Sequence, residues 1–195
     1  MSTRKENNTV ISHKCNNCGM CCRNRGDISL TPLDVFNISK FLKMSCKDFI
    51  SKYCETDEDV DVRILAHGML KACIFLKTNP NGKNKCDIYQ VRPMACYLYP
   101  LKVFPGRLNV FRKDDAQFCP TSKKSIPISQ FVREKSNNRY EYEFYHILRF
   151  AVAVDNYTVK HPHVSNQEKI EYFFYNNSIE ELNEKLDNCI QWKFD

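Results

Sequence analysis

The chain has 195 residues, of which 43% are hydrophobic and 12% aromatic, and its formal net charge is +6. With only 5 Gly and 8 Pro, this composition excludes a low-complexity protein and predicts one domain with a sizeable core and at most a small appendage. The first residues lack an apolar signal segment. Uninterrupted apolar runs such as FAVAV at 150–154 are too short to span a bilayer. We therefore expect a cytoplasmic protein with no membrane segment.

The first elements in chain order are a tail and two helices. Residues 1–12 are polar and are expected to form a flexible tail. Thr31 stands before a proline, which is typical of a helix N-cap followed by proline at the first helical position. Apolar residues at helical spacing predict a helix over 32–43, and Asp34 in its first turn suits the helix dipole. Ser45 can cap a second short helix.

Strands and a turn are predicted next. Residues 61–77 and 101–113 predict short strands, and TNPNGKN at 78–84 is typical of a turn. A strand pair around that turn would bring Cys73 near Cys86.

The second half of the chain predicts helices. Apolar residues recur at helical spacing over about 129–155, and two more helices follow, each opened by a capping box, at 165–168 and 178–181. Together these elements predict an α+β fold. A small cysteine-rich metal domain with short strands and helices over 13–125 precedes a helical C-terminal region over 126–195.

Cysteine is the most informative residue type in this sequence. Four of the 11 cysteines lie within eight residues, in the pattern C-x-x-C-x-x-C-C, at Cys15, Cys18, Cys21 and Cys22. Two residues between cysteines allow both sulfurs to turn toward one point, and Gly19 relaxes the backbone there. In a cytosolic protein, where disulfides are rare, such thiols are expected to bind zinc or iron.

Seven further cysteines fall into two groups. Cys73, Cys86, Cys96 and Cys119 have polar neighbours in loop-like or strand-end contexts, which makes eight candidate ligands with the first four. Eight thiolates suffice for two four-thiolate sites or for one larger polynuclear site, and the sequence leaves both open. The others lie among apolar residues of predicted helices and are expected to pack in the core as small hydrophobic side chains: Cys46, Cys54 and Cys189.

Five motifs stand out in chain order: CNNCGMCC at 15–22, DISLTPLDV at 27–35, ACIFL at 72–76, CDIYQVRPMAC at 86–96 and YP at 99–100. Together they closely resemble the YkgJ family, described as zinc- or iron-chelating domains with a CxxCxxCC signature, which includes the iron–sulfur flagellin lysine N-methylases. The resemblance covers roughly residues 13–120. It implies that the matching cysteines bind metal: Cys15, Cys18, Cys21, Cys22, Cys73, Cys86, Cys96 and, in a less regular position, Cys119.

The metal is left open between an iron–sulfur cluster and zinc, since all-sulfur ligation suits both. Cys15, Cys18 and Cys21 match the first three positions of the ferredoxin-type run C-x-x-C-x-x-C-x-x-x-C-P, whereas Arg25 takes the fourth. Cys119, which precedes a proline, could complete a cluster from a distance. A structural zinc site usually has two separated C-x-x-C pairs. The later cysteines form no such pair, so we favour an iron–sulfur cluster.

Other side chains are expected to support the site. Arg92 and Lys85 are candidates to donate hydrogen bonds to ligand sulfurs, which stabilises thiolates. An all-cysteine site needs no histidine, and His146 lies far from the motifs in sequence.

Three functions are compatible with these features. The first is an iron–sulfur protein, which the resemblance implies could be an enzyme acting on lysines of another protein. The second is a zinc-stapled interaction module, in which metal holds a loop-rich fold together. The third is a metal-handling protein without catalysis. The sequence identifies no catalytic residue. It has no RNA-binding signature or basic recognition helix, so we expect a protein substrate or partner and no nucleic acid.

Overall fold

The structure, a computed structural model, describes residues 9–12, 18–23, 28–57, 59–67, 72–97, 99, 124–127 and 138–190. The helices in these ranges are α1 (Met20–Arg23), α2 (Pro32–Phe41), α3 (Cys46–Tyr53), α4 (Met94–Tyr97), α5 (Asn138–Lys160), α6 (Asn166–Phe174) and α7 (Ile179–Ile190). The strands are β1 (Thr9–Ser12), β2 (Ser29–Leu30), β3 (Cys54–Thr56), β4 (Val62–Ile64), β5 (Ala66–His67), β6 (Ala72–Cys73), β7 (Leu76–Thr78), β8 (Asn84–Cys86) and β9 (Lys124–Pro127). A 3-10 turn over Tyr89–Val91 precedes α4.

All strand pairs among the described residues are antiparallel. A three-stranded sheet has the order β2, β4, β3, and two-stranded ladders pair β1 with β9, β5 with β6, and β7 with β8. The strands predicted within 61–77 are confirmed as β4 to β7, and the predicted turn separates β7 from β8. The strands predicted over 101–113 lie outside the described residues.

β1 lies within the segment that the sequence predicts to be a tail. It pairs with β9 from Thr9 opposite Pro127 to Ser12 opposite Lys124. The run Thr-Val-Ile at its start is β-branched, which favours an extended backbone, although the surrounding segment is polar. The division of the chain into tail, metal domain and helical region stays a prediction.

The helices α2 and α3 begin where the sequence predicts. The Asp34 N–H donates to Thr31 Oγ1 at 3.1 Å, and the Thr31 N–H donates to Asp34 Oδ2 at 2.9 Å, which completes a capping box. Ser45 caps α3, since its Oγ accepts from the Asp48 N–H at 3.0 Å.

The C-terminal helices α6 and α7 also follow their sequence signals, whereas α5 ends at Lys160 and not near the predicted 155. A complete capping box opens α6, with the Glu168 N–H donating to Ser165 Oγ at 3.2 Å and the Ser165 N–H to Glu168 Oε2 at 2.9 Å. At α7 half of the predicted box forms. The Glu181 N–H donates to Ser178 Oγ at 3.1 Å, whereas its carboxylate accepts from the Asn177 N–H. No described helix is long and apolar enough to cross a membrane.

One continuous core joins the two halves of the described chain. Val35 and Ile38 of α2, Phe49 of α3, and Phe173 and Phe174 of α6 are fully buried in a single cluster. Each side chain of this size contributes about 1.5–3 kcal/mol when fully buried. The C-terminal helices thus pack directly on α2 and α3. The predicted α+β fold class is confirmed.

Candidate metal centre

The cysteine-rich loop turns at Gly19. Its φ is +74°, a left-handed conformation that glycine adopts without the steric cost of other residues. The hairpin of β7 and β8 is so close that a Cβ on Gly19 would lie 3.0 Å from Asn84 Cγ and from Leu76 Cδ1. The Cys22 N–H donates to the Gly19 carbonyl at 3.1 Å. This bond closes the single turn of α1, which carries Cys21 and Cys22.

Asn84, the first residue of β8, fastens the hairpin to this loop. Its Nδ2 donates to the Cys18 carbonyl at 2.5 Å. Its Oδ1 accepts from Arg23 Nη2 at 3.2 Å and from Thr78 Oγ1 at 2.9 Å. One amide therefore contacts both ends of the loop and the facing strand β7. Asn84 was not among the predicted site residues, and its place two positions before a candidate ligand was the available signal.

Cys22 lies among other thiols. Its Sγ is 3.9 Å from the Sγ of Cys21, a separation that two thiolates can have on one metal at ~2.3 Å per bond. The pKa of Cys22 is raised by its hydrogen bond with Cys21, by burial, and by the charges that Cys21, Cys96 and Cys73 carry as thiolates. These interacting thiols come from three separate segments, α1, β6 and α4.

Cys86 joins this neighbourhood through Cys73. Burial raises the pKa of Cys86 to about 11, and the Cys73 thiolate acts in the same direction. A hydrogen bond from the Ile88 backbone and the charge of Arg92 oppose that rise. The predicted strand pair forms as β7 and β8, but Leu76 and not Cys73 lies opposite Cys86. Cys73 lies on β6, which pairs with β5, and its nearness to Cys86 is supported by their electrostatic interaction.

An aromatic cluster holds the strands that carry Cys73 and Cys86 on α3. Phe75 lies between β6 and β7, and its ring centroid is 5.2 Å from that of Tyr53 and 6.4 Å from that of Phe49. Aromatic pairs at these distances stabilise a fold beyond their burial alone. The two thiols are therefore positioned by the core and not by the hairpin alone.

A buried carboxylate positions the helix that carries Cys96. Asp34 is 4% exposed; its Oδ2 caps α2, and its Oδ1 accepts from the Met94 N–H at 3.0 Å. Met94 is the first residue of α4, so one side chain caps two helices. The sequence predicts the role of Asp34 in α2 but not the bond to Met94, which places Cys96 relative to α2.

Arg92 lies between two tyrosines beside the thiols. Its guanidinium carbon is 4.2 Å from the ring centroid of Tyr89 and 5.0 Å from that of Tyr97, which are cation–π distances. Its charge acts to lower the pKa of Cys86, so the stacked guanidinium offsets thiolate charge as a supporting residue should. Lys85, the other predicted supporting cation, is exposed on β8.

Of the eight candidate ligands, Cys15 and Cys119 lie outside the described residues. Among those described, no three His, Cys, Asp or Glu side chains are placed to hold one metal ion together in this conformation. The ligand assignment therefore stays a prediction. The electrostatic interactions of Cys22 and Cys86 with other candidate thiols support it.

The cysteines expected in the core make other contacts. Cys46 and Cys189 are 4% and 1% exposed. The Cys46 thiol donates to the Asn176 carbonyl at 3.2 Å, and Cys189 Sγ lies 3.8 Å from the Tyr172 hydroxyl. Cys54 is half-buried at the start of β3 and not on a helix, and burial raises its pKa to about 12.

The donor set fits a soft or borderline metal. The side chains that interact electrostatically with Cys22 are themselves thiols, and thiolates are the ligands that zinc and iron–sulfur sites share. The raised pKa values of Cys22 and Cys86 favour the protonated thiols. Both thiols must lose that proton to bind a metal, and a bound cation favours the loss. A bound cation would thus offset the charge of the crowded thiolates.

Comparison with known proteins points to the same chemistry. A family model described as "CxxCxxCC: Putative zinc- or iron-chelating domain" matches residues 14–122, a range that contains all eight candidate ligands. A protein of Methanocaldococcus jannaschii described as "Uncharacterized protein MJ0661" is 30% identical over 93 residues, which is 48% of this chain and 47% of that protein. The match thus spans about half the length of that relative. No solved structure matches the chain.

Proposed function

Because the chain belongs to the CxxCxxCC family of zinc- or iron-chelating domains, we propose that its function is to bind an iron–sulfur cluster through cysteine thiolates. The observation that carries the proposal is the 3.9 Å separation of the Cys21 and Cys22 sulfurs, supported by the electrostatic effect of Cys73 and Cys96, from two further segments, on the pKa of Cys22. Iron–sulfur clusters are held by thiolates that meet from several directions. The protein acts in the cytoplasm, where its thiols stay reduced, on or with another protein.

Two features favour an iron–sulfur cluster over zinc. The later candidate ligands Cys73, Cys86 and Cys96 lie on three different elements, whereas structural zinc sites usually use two C-x-x-C pairs. In addition, Cys86 receives a hydrogen bond from the Ile88 backbone and lies within the field of Arg92. Such hydrogen bonds and charges around ligand sulfurs tune the potential of a cluster.

A zinc site that staples the fold for binding a partner is the second candidate. It is favoured by the shortness of the elements around the thiols. The strands β5 and β6 have 2 residues each, and the helices α1 and α4 have 4. Elements of this length are not stable alone, and metal–thiolate bonds can hold them in place.

Anaerobic purification followed by metal and sulfide analysis distinguishes the two. We expect a brown protein with iron and acid-labile sulfide. We expect both to be lost in Cys22→Ser and kept in Cys54→Ser, a matched control because Cys54 is also a half-buried thiol. A colourless protein with stoichiometric zinc, lost in the same variant, would replace the first proposal with the second. Metal that Cys22→Ser retains in full would overturn both.

A further inference from the structure

The helix α5 has two apolar faces, and one of them packs in the core. Phe150 lies edge-on to Phe173 and Phe174 of α6, with 5.6 and 5.5 Å between ring centroids. Ala153, one turn further along, is fully buried. This face is sufficient to hold α5 against the rest of the molecule, because an amphipathic helix needs only one apolar stripe for that purpose.

The opposite face of α5 carries a stripe of exposed apolar side chains, which we call the outer stripe. Its members Tyr145, Leu148, Val152 and Val159 are 59%, 46%, 48% and 82% exposed. Their spacing of three, four and seven residues places them along one line of the helix, over about 21 Å at 1.5 Å per residue. Single exposed apolar residues are normal, whereas an apolar patch of this kind marks an interaction site.

The outer stripe has the spacing of a helix–helix interface. Three of its four members recur every seven residues, as the a positions of a heptad do, and Leu148 takes the d position between the first two. The next d position is Asp155, which is exposed. The helix runs without interruption over Asn138–Lys160, so it presents all of these positions to one partner helix.

The outer stripe is complementary to itself when two copies of α5 run antiparallel. The a positions of one helix then meet the d positions of the other, about a twofold axis midway between positions 148 and 152. Leu148 of each copy lies opposite Val152 of the other, which makes two apolar layers at the centre. Tyr145 lies opposite Asp155, whose carboxylate can accept a hydrogen bond from the tyrosine hydroxyl.

A parallel pair of the same helices is disfavoured by charge. It would place Asp155 of one copy directly against Asp155 of the other, and two like charges repel. The antiparallel pair separates these carboxylates and gives each one a donor. It also sets the two helix dipoles in opposite directions, which is the favourable arrangement for neighbouring helices.

We propose that the outer stripe of α5 is a homodimer interface, through which two copies of this chain pair antiparallel. A twofold interface of this type uses the same surface on both copies, so association stops at the dimer. One helix from each copy buries less than the standard interface of about 1,600 Å². The dimer is therefore weak and dissociates on dilution.

Sedimentation equilibrium of the 195-residue protein, with a reductant present to prevent disulfides between copies, measures the dissociation constant of the dimer. We expect Leu148→Glu and Val152→Glu each to raise it by at least about tenfold, because each puts a charge into both central layers. Phe41→Glu is the matched control. Phe41 is 41% exposed at the end of α2, away from the stripe, and its replacement should leave the constant unchanged.

Asp155→Ala tests the orientation of the two helices. In the antiparallel pair it removes the hydrogen bond from Tyr145 in two places, so the dissociation constant should rise by about threefold or more. In a parallel pair the same change would relieve the repulsion between the carboxylates, and the dimer would become tighter. Alanine favours the helix, so loss of folding does not obscure the result.

Three results would overturn the proposed dimer. The first is a wild-type protein that stays monomeric up to about 0.5 mM, which would mean that a different protein or another part of this chain covers the stripe. The second is a dimer that Leu148→Glu and Val152→Glu both leave intact, which would place the interface elsewhere. The third is a dimer that Asp155→Ala tightens.

Discussion

Gly19 and Gly82 share a backbone conformation but differ in their surroundings. Their φ angles are +74° and +75°. A Cβ on Gly19 would lie 3.0 Å from Asn84 and Leu76, whereas nothing lies within 4 Å of one on Gly82. Alanine in a left-handed conformation costs roughly 1–2 kcal/mol. That cost is common to both sites, and displacement of Asn84 is added at Gly19 alone.

We therefore expect Gly19→Ala to lower the free energy of unfolding of the metal-loaded protein by more than Gly82→Ala does. It should also weaken metal binding by about tenfold or more, because Asn84 holds the Cys18 carbonyl as a supporting residue. Urea unfolding and competition with a chelator measure the two effects. Equal losses in both variants would contradict the close contact between the cysteine loop and the hairpin.

Residue types at the site could be predicted from sequence, but their partners could not. The spacing from Cys15 to Cys22 and the glycine within it indicate a metal-binding turn without any tertiary knowledge. The bonds from Asn84 to Cys18 and from Met94 to Asp34 join residues 66 and 60 positions apart. Such contacts depend on how separate elements pack, and a sequence pattern within one element does not predict that packing.

The helices α2 and α4 depend on one carboxylate. Asp34→Asn keeps the size of the side chain but removes one of the acceptors used by Thr31 and Met94. We expect it to lower the free energy of unfolding by about 1–3 kcal/mol, because a buried donor loses its partner. Asp48→Asn, at the equivalent position of the exposed α3 cap, should change stability by less than about 0.5 kcal/mol. Urea unfolding of both variants measures the two effects. Equal losses of unfolding free energy in Asp34→Asn and Asp48→Asn would contradict the special role of Asp34.

Helix starts were predictable because caps are local. Thr31, Ser45 and Ser165 each bond to a residue three positions later, so the signal and the structure lie in the same short stretch. Strands were less predictable where the partner is distant. β1 pairs with β9 more than a hundred residues away. Cys54, which the sequence predicts to lie on a helix, begins the strand β3 and pairs with Ile64.

The shared core limits what metal removal can do to the protein. Val35, Ile38 and Phe49 pack in one cluster with Phe173 and Phe174, and none of these five residues is a candidate ligand, although Cys73 in the same cluster is one. The segments at 18–23, 84–86 and 94–97 are short and carry candidate ligands. Their order is expected to depend on metal, since apparent binding energies of ~10–16 kcal/mol are typical of small structural zinc sites.

Chelation should therefore increase hydrogen exchange in those three segments while α2 and α6 keep their protection. Exchange measured by mass spectrometry on the metal-loaded and chelated protein tests this directly. Unchanged protection at 18–23 would mean that the loop orders without metal. Loss of protection in α6 would mean that the core itself depends on the metal.

X-ray absorption at the metal edge tests most directly whether thiolates from α1, β6, β8 and α4 hold one metal centre. For iron or for zinc, we predict a first shell made of sulfur at about 2.3 Å. Replacing Cys22 by serine should abolish the signal at the metal edge, because that variant is expected to lose its metal, and replacing Cys54 by serine should leave the sulfur count unchanged. A first shell of nitrogen and oxygen in the wild-type protein, or a sulfur count unaffected by Cys22→Ser, would contradict the thiolate centre.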